Sequence, residues 1–209
     1  MPMSNSLNVK EIQFLLNSQN YETLIKIIKE ENNDSILATL NKKLVKKFIE
    51  ISIKSENIFF YTCQYKSEIV GYALLAKKPS FLFSEFKSIK FAILINLLNP
   101  FYFKSLLNIL IAFSKIDLIL LSRDKNFFIA NSLNLNLLAI KKNFQSKGFG
   151  KEFIQSILKD IKKKYGFNGV TVEANNSRSA SFYQNKVNFC YFGKKLRFFK
   201  NTNIYEKIF

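Results

Sequence analysis

The chain contains no histidine. That absence removes Ser-His-Asp and Cys-His hydrolytic machinery, and with it the usual neutral metal ligand. Any acid–base chemistry must therefore come from Tyr, Glu, Asp, Lys, Cys, the backbone or water, and no metal is expected. Cysteine is nearly as scarce. Cys63 and Cys190 make neither a metal set nor a disulfide framework. Each lies in an apolar run that reads as strand, so two buried free thiols in a reducing cytoplasm are expected. Arginine appears only at positions 123, 178 and 197, although the formal net charge is +17. Bidentate base readout and phosphate clamping favour the planar guanidinium, so no specific nucleic-acid partner is expected. The charge reads instead as a solvated lysine surface that also attracts anionic small molecules. Met1 to Lys10 lacks the charged, apolar and small-residue regions of a signal peptide, in line with a cytoplasmic location.

Apolar runs long enough to span a bilayer are lacking too. Phe91–Leu98 and Leu106–Phe113 are nearly continuous, but neither reaches the roughly 20 residues a span needs, and Pro100 and Lys104 interrupt the pair. We read the stretch at about 79–126 as an apolar insertion carrying two buried or half-buried helices. Contact with a membrane surface is the less favoured reading.

What is present fits one packed domain. The 209 residues suffice for one sizeable core, and 48% of them are hydrophobic. Leu24 and Ile28, then Leu44, Phe48 and Ile51, fall at helical spacing and predict helices over about Lys10–Glu31 and Leu40–Lys54. Ile58–Tyr65 and Glu68–Ala76 read as strands, and Lys66-Ser67 between them makes a hairpin. Beyond Asn126 a strand over Leu133–Ile140 leads into the loop Gln145–Gly150. A helix follows over Lys151–Tyr165, with Phe153, Ile157 and Ile161 on one stripe and Gly166 closing it. Next come a strand at Gly169–Glu173 and a short helix at about Ser177–Lys186, capped by Asn175 or Asn176. Two final strands, Cys190–Phe199 and Asn203–Phe209, flank Lys200–Thr202.

The order strand, Gln-x-x-Gly-x-Gly, long helix, strand, Asn, short helix with Tyr carries the chemistry. A helix N-terminus leaves backbone N–H groups unpaired and holds the positive end of the macrodipole. A loop feeding that end binds a pyrophosphate without a dedicated charged side chain. Glycine at 148 and 150 lets phosphate approach the backbone closely, and Lys147 and Lys151 add charge at the rim. Taken alone, such a loop reads first as a tight strand-to-helix turn. Phe153 stands where a dinucleotide fingerprint needs its third glycine, and no Gly-x-x-x-x-Gly-Lys-Ser/Thr segment occurs.

With its surroundings, this segment resembles the GNAT superfamily of N-acetyltransferases over about Asn126–Phe209. Gln145-Ser146-Lys147-Gly148-Phe149-Gly150 matches the acyl-CoA loop of that family. Asn176-Ser177-Arg178-Ser179 with Phe182-Tyr183 matches its Asn-x-x-Ala…Phe-Tyr segment, Ser179 replacing alanine. The resemblance implies an α/β (α+β) fold. Its central sheet would be mixed, mostly antiparallel, of about six to seven strands, with helices on both faces and the insertion at 79–126. It implies acetyl-CoA as cosubstrate, held by residues 145–151, by the backbone of Leu138, Ala139 and Ile140 beside the pantetheine arm, and by Asn176. Tyr183 would be the general acid toward the leaving thiolate; the alternative for it is a core tyrosine beside Phe182.

Two departures from the family pattern matter. Val187-Asn188-Phe189 stands where the family has Gly-Phe, so Asn188 is expected to take the left-handed helix-ending conformation. The strand before the loop carries no carboxylate, so Glu173 is the best carboxylate near the site; a charged edge position explains it equally well, and water relaying a proton to the backbone would also serve as base. The expected reaction is acetyl transfer to a primary amine of a small or glycan-related acceptor, such as an amino sugar or sugar nucleotide, by a monomer or homodimer. The alternatives are a protein N-terminal or lysine acetyltransferase and a non-catalytic acyl-CoA-binding module.

Overall fold

The computed structural model describes residues 7–12, 16–32, 35–77, 85–86, 132–197 and 200–209. The helices expected at 91–98 and 106–113, and nearly all of the apolar insertion, lie outside the described residues.

Seven strands form one sheet: β1 (Asn8–Glu11), β2 (Ile58–Tyr65), β3 (Glu68–Ala76), β4 (Ser132–Ile140), β5 (Gly169–Ala174), β6 (Cys190–Arg197) and β7 (Lys200–Ile208). Their spatial order is β1-β2-β3-β4-β5-β7-β6. Pairing is antiparallel throughout except between β4 and β5. The mixed, mostly antiparallel sheet is thus as expected.

Helices α1 (Ser18–Glu31), α2 (Ile36–Thr39) and α3 (Lys42–Lys54) precede β2; α4 (Phe149–Tyr165) and α5 (Ser177–Ser181) follow β4 and β5. Helix α1 starts eight residues later than the sequence spacing suggested, because Lys10 and Glu11 belong to β1. Asn17 caps it, its side chain accepting from the Asn20 N–H at 2.8 Å. Four residues are too few for a legible period, so β1 shows only through its pairing with Glu11↔Tyr61 to Asn8↔Gln64 of β2.

Each face of the sheet has its own core. On one face, Phe153, Ile154, Ile157 and Ile161 of α4 pack on Leu133, Leu135, Val170 and Val172. Fully burying each such side chain stabilises by about 1.5–3 kcal/mol. On the other, Leu24, Ile27 and Ile28 of α1 and Val45, Phe48 and Ile49 of α3 pack on Phe60, Tyr72 and Leu74. Helices therefore cover both faces. The hairpin turn holds Lys66 and Ser67 at φ 48° and 67°, the two left-handed residues that match the twist of a two-residue hairpin.

Three smaller expectations need correction. Cys63 is buried, but Cys190 begins the edge strand β6 and is exposed. Residues 200–202 do not form the turn before the last strand; Lys200 already pairs with Arg197, and all three belong to β7. Helix α4 begins at Phe149 rather than Lys151, which makes the last two residues of the glycine loop its first two helical residues.

Candidate functional site

The site starts from an interruption in the sheet. β4 and β5 pair from Ser132↔Gly169 to Leu135↔Val172 and no further, while β4 stays on β3 to Ile140↔Gly71. The β3–β4 register shifts between Leu74↔Leu137 and Leu75↔Leu135, leaving Asn136 as an extra residue. Such a bulge bends the strand that carries it. It also resets which face each side chain meets. Leu133 and Leu135 pack on the α4 side, and so do Leu138 and Ile140, a spacing of three across the bulge; Leu137 and Ala139 join the opposite core. The carboxyl half of β4 thus swings away from β5.

Peptide directions in that half follow from one bond. The Lys141 N–H donates to the Val70 carbonyl of β3 at 2.8 Å. Alternation along the strand then turns the peptide groups of Ala139 toward β3, and those of Leu138 and Ile140 toward the gap. The same reasoning applies to β5. Phe209 N–H donates to the Asn168 carbonyl at 3.0 Å, so the peptide groups of Glu173 point to the β4 side.

Beyond Ile140 the chain makes a 3-10 turn (Lys142–Phe144), then Gln145 to Gly148 lead into α4. Ser146, Lys147 and Gly148 are exposed. Ser146 is left-handed at φ 61°. Gly148 is the N-cap at φ 88°, and it brings no side chain to cap the first turn of α4. The N–H groups of that turn are therefore left to solvent or ligand. A Cβ on Gly148 would meet nothing within 4 Å. Conformation rather than crowding fixes this glycine, and the space before the helix is open. Gly150 differs: a Cβ there would lie 3.4 Å from the Phe182 ring, an ordinary contact. Gly150 thus lies under the Phe182 ring at the start of the helix. Phe144 and Phe149 flank the loop edge-on at 5.4 Å, with the Tyr65 ring 5.2 Å from Phe149.

Gln145 turns inward. Its Nε2 donates to the Ile140 carbonyl at 2.7 Å and to Glu31 Oε2 at 2.8 Å, and its Oε1 accepts from Arg178 at 2.9 Å. Its amide stitches the loop to β4, α1 and α5, and the exposed backbone after it is what remains for a ligand. Glu31 and Arg178 escaped the sequence reading as site residues. Glu31 lies 114 positions from Gln145, and no local periodicity signals such a contact.

Asn176 caps α5 through Oδ1, which accepts from the Ser179 N–H at 2.8 Å, while Ser179 Oγ accepts from the Asn176 N–H at 3.3 Å. That reciprocal box decides between Asn175 and Asn176. It also shows what Ser179 does that alanine cannot. The expected helix to Lys186 changes character midway: α5 ends at Ser181 and Phe182–Lys186 is a π-turn. Asn188 follows at φ 59°, as expected of it.

Tyr183 lies in that π-turn and is buried, its ring 5.7 Å from Phe189 and 5.2 Å from Phe182. Burial pushes its hydroxyl well above the usual tyrosine pKa, so it keeps its proton at neutral pH. It packs in the α4-side core with Val170, Val172 and Ala174 of β5. Glu173, half-buried, alternates with those three and so projects from the opposite face. The two candidate catalytic groups stand on either side of the sheet, at the end of the strand that borders the gap. Among the described residues, no cluster of Cys, Asp and Glu suits a metal ion, and no helix is long and apolar enough to cross a membrane.

Residues 129–197 match the family model described as FR47-like protein, a stretch running from the approach to β4 through β6. The fold is similar to PaiA N-acetyltransferase from Thermoplasma acidophilum, solved with coenzyme A, at TM-score 0.55 and 16% identity, covering 98% of this chain and 99% of that one. It is similar at TM-score 0.60 and 11% identity to a Salmonella typhimurium acetyltransferase that modifies the N-terminal serine of ribosomal protein L7/L12, covering 100% and 98%. A third likeness is to the spermidine N-acetyltransferase SpeG of Vibrio cholerae, in an F149G mutant, at TM-score 0.57 and 10% identity over 97% and 93%. This is the GNAT fold. No curated protein matches the chain in sequence. At such low identities the likeness speaks for the GNAT fold, and the chemistry must be argued from the site itself.

Proposed function

We propose that this GNAT-fold chain is an acetyl-CoA-dependent N-acetyltransferase that moves an acetyl group to a primary amine in a ternary complex. The observation that carries the reading is the pairing of an uncapped helix start with a parted strand pair. The open space before Gly148 and the unpaired amides of the first turn of α4 suit a diphosphate. The gap-facing peptide groups of Leu138 and the N–H of Ile140 suit an extended amide-bearing arm lying along β4. Lys147 and Lys151, both exposed at the rim, supply attraction for the anion.

Acetyl-CoA supplies an acyl group activated as a thioester. The chain's own residues have three tasks. The backbone N–H of Leu138 faces the gap and is the candidate donor to a developing oxyanion. Tyr183, kept protonated by burial, is the candidate donor to the departing thiolate. Glu173 is the candidate acceptor of the amine proton, on the other face of the sheet from the acid. That separation suits a reaction in which the amine enters from one side and the thiolate leaves on the other. Asn176 holds the start of α5 and thereby the segment that delivers Tyr183.

As acceptor we favour a small or glycan-related primary amine, an amino sugar or sugar nucleotide. The excess of lysine attracts an anionic acceptor and repels a basic peptide. The test is acetyl-CoA-dependent thiol release across a panel of amino sugars, sugar nucleotides, polyamines and peptide N-termini, with acetyl-CoA binding measured alongside. Release that needs an amino sugar or its nucleotide supports the reading. Acetyl-CoA binding with no acceptor-dependent release favours a non-catalytic binding module instead.

A further inference from the structure

Glu31 ends α1, outside every segment to which the site was assigned, yet its carboxylate reaches the entrance of the glycine loop. Oε1 accepts from the Lys142 N–H at 2.8 Å, and Oε2 accepts from Gln145 Nε2 at 2.8 Å. The first bond serves a turn that lacks a cap of its own: Lys141 precedes the 3-10 turn Lys142–Phe144 with no side-chain cap, and Glu31 supplies the acceptor from another element. The second bond fixes an amide. Gln145 has one end that only donates and one that only accepts. A carboxylate and the Ile140 carbonyl take the NH2 end, and the Arg178 guanidinium takes the oxygen. Reversing the amide would place two acceptors against its oxygen and a donor against its NH2. The orientation is therefore determined from both sides.

This chain of bonds joins three elements: the end of α1, the loop before α4, and the second residue of α5. Arg178 is exposed, and a guanidinium carries five N–H donors, of which the bond to Gln145 uses one. Its guanidinium is held at Gln145, the first residue of the loop that the proposed function assigns to a diphosphate. We propose that Glu31 is a positioning residue for the acyl-CoA site: through Gln145 it sets the loop and holds Arg178 against the anion. This inference rests on the acetyl-CoA reading above and assigns that site a residue of α1, on the face of the sheet opposite α4.

The experiment is calorimetric titration of the full chain with acetyl-CoA, comparing wild type with Glu31→Gln, Glu31→Ala, Arg178→Ala and the Glu31→Ala/Arg178→Ala double variant. Glu31→Gln keeps the volume and an oxygen for Lys142 N–H, but offers a second NH2 group to that of Gln145. Loss of a charge-assisted bond of this kind is expected to weaken binding about tenfold. A purely space-filling role would leave Glu31→Gln binding like wild type. Because both residues act through one amide, the double variant should bind about as weakly as the weaker single one. Losses that multiply overturn the relay, and so does wild-type affinity in Glu31→Gln. A wild-type chain that does not bind acetyl-CoA overturns the reading of the site, and this inference with it. If Glu31→Ala does not fold, Glu31→Gln and Arg178→Ala carry the comparison.

Discussion

Leu135 of β4 and Val172 of β5 form the last rung between their strands. The next β4 residue, Asn136, is the bulge residue, with no partner of its own in the β3 register. The parting of the strands and the resetting of side-chain faces thus happen at one place. Groups assigned to the proposed site lie just beyond it: the peptides of Leu138 and Ile140 on one side, Glu173 on the other, and the start of α4 at the far end.

Three glycines separate binding from stability. Gly148 and Gly166 both adopt positive φ, at 88° and 62°, so alanine at either should cost about 1 kcal/mol or somewhat more. Only Gly148→Ala should also weaken acetyl-CoA binding, because only it opens the proposed diphosphate site. Gly150→Ala meets the Phe182 ring at an ordinary 3.4 Å and gains helix propensity, so its stability should stay within roughly 1 kcal/mol of wild type. Thermal melts and acetyl-CoA titrations of the three variants check this pattern. Equal affinities for Gly148→Ala and Gly166→Ala would contradict it.

Tyr183→Phe keeps the ring among Phe182 and Phe189 and removes the proton. Turnover should fall by about 100-fold with little change in acetyl-CoA affinity. The raised pKa of Tyr183 sharpens the expectation: the alkaline fall of the wild-type profile should not begin where free tyrosine ionises, near 10. Steady-state rates from pH 7 to 10 test both points. A variant as active as wild type removes the acid role.

Glu173→Gln should lower turnover and leave acetyl-CoA binding intact, as expected of a group that takes the amine proton. Raising the pH, which deprotonates more of the amine before it binds, should narrow the gap between variant and wild type. A constant ratio across the pH range would assign Glu173 a structural place at the end of β5.

Stability should be lost in alkali. Burial raises the pKa of Tyr61, Tyr72 and Tyr183 above that of free tyrosine, and it lifts the Cys63 thiol to about 12. Neighbouring Glu11 and Asp160 add to the effect on Tyr61, whose hydroxyl donates to Asp160 at 2.8 Å. The sign follows from proton counting. Above the unfolded values, roughly 8.5 for the thiol and 10 for the phenols, the unfolded chain has released protons that the folded chain retains. The stabilisation is complete below those values and is lost as pH rises through the folded ones. Tm should hold from pH 7 to about 8.5 and then fall steadily; a flat Tm to pH 11 would contradict it.

Much of this was legible because local rules act within short windows. The stripe of Phe153, Ile157 and Ile161, the capping of α5 by one of the pair Asn175 and Asn176, and the left-handed Asn188 were all readable from residue type and spacing. What escaped was set by distant partners. Lys10 and Glu11 joined a helix in the sequence reading because β1 exists only as the partner of β2. The bulge at Asn136 depends on which β3 residue stands opposite. Gln145 was legible as part of a loop, but its contacts with Glu31 and Arg178 belong to the tertiary structure.

The central claim is that backbone amides at the start of α4 hold the diphosphate of acetyl-CoA. Amide resonances of the isotopically labelled chain, followed as acetyl-CoA is added, test it most directly. The account predicts saturable shifts at Gly148, Phe149, Gly150 and Lys151, with much smaller ones when acetyl-pantetheine, which has no diphosphate, is added instead. Shifts confined to other parts of the chain, or equal shifts with acetyl-pantetheine, would contradict it.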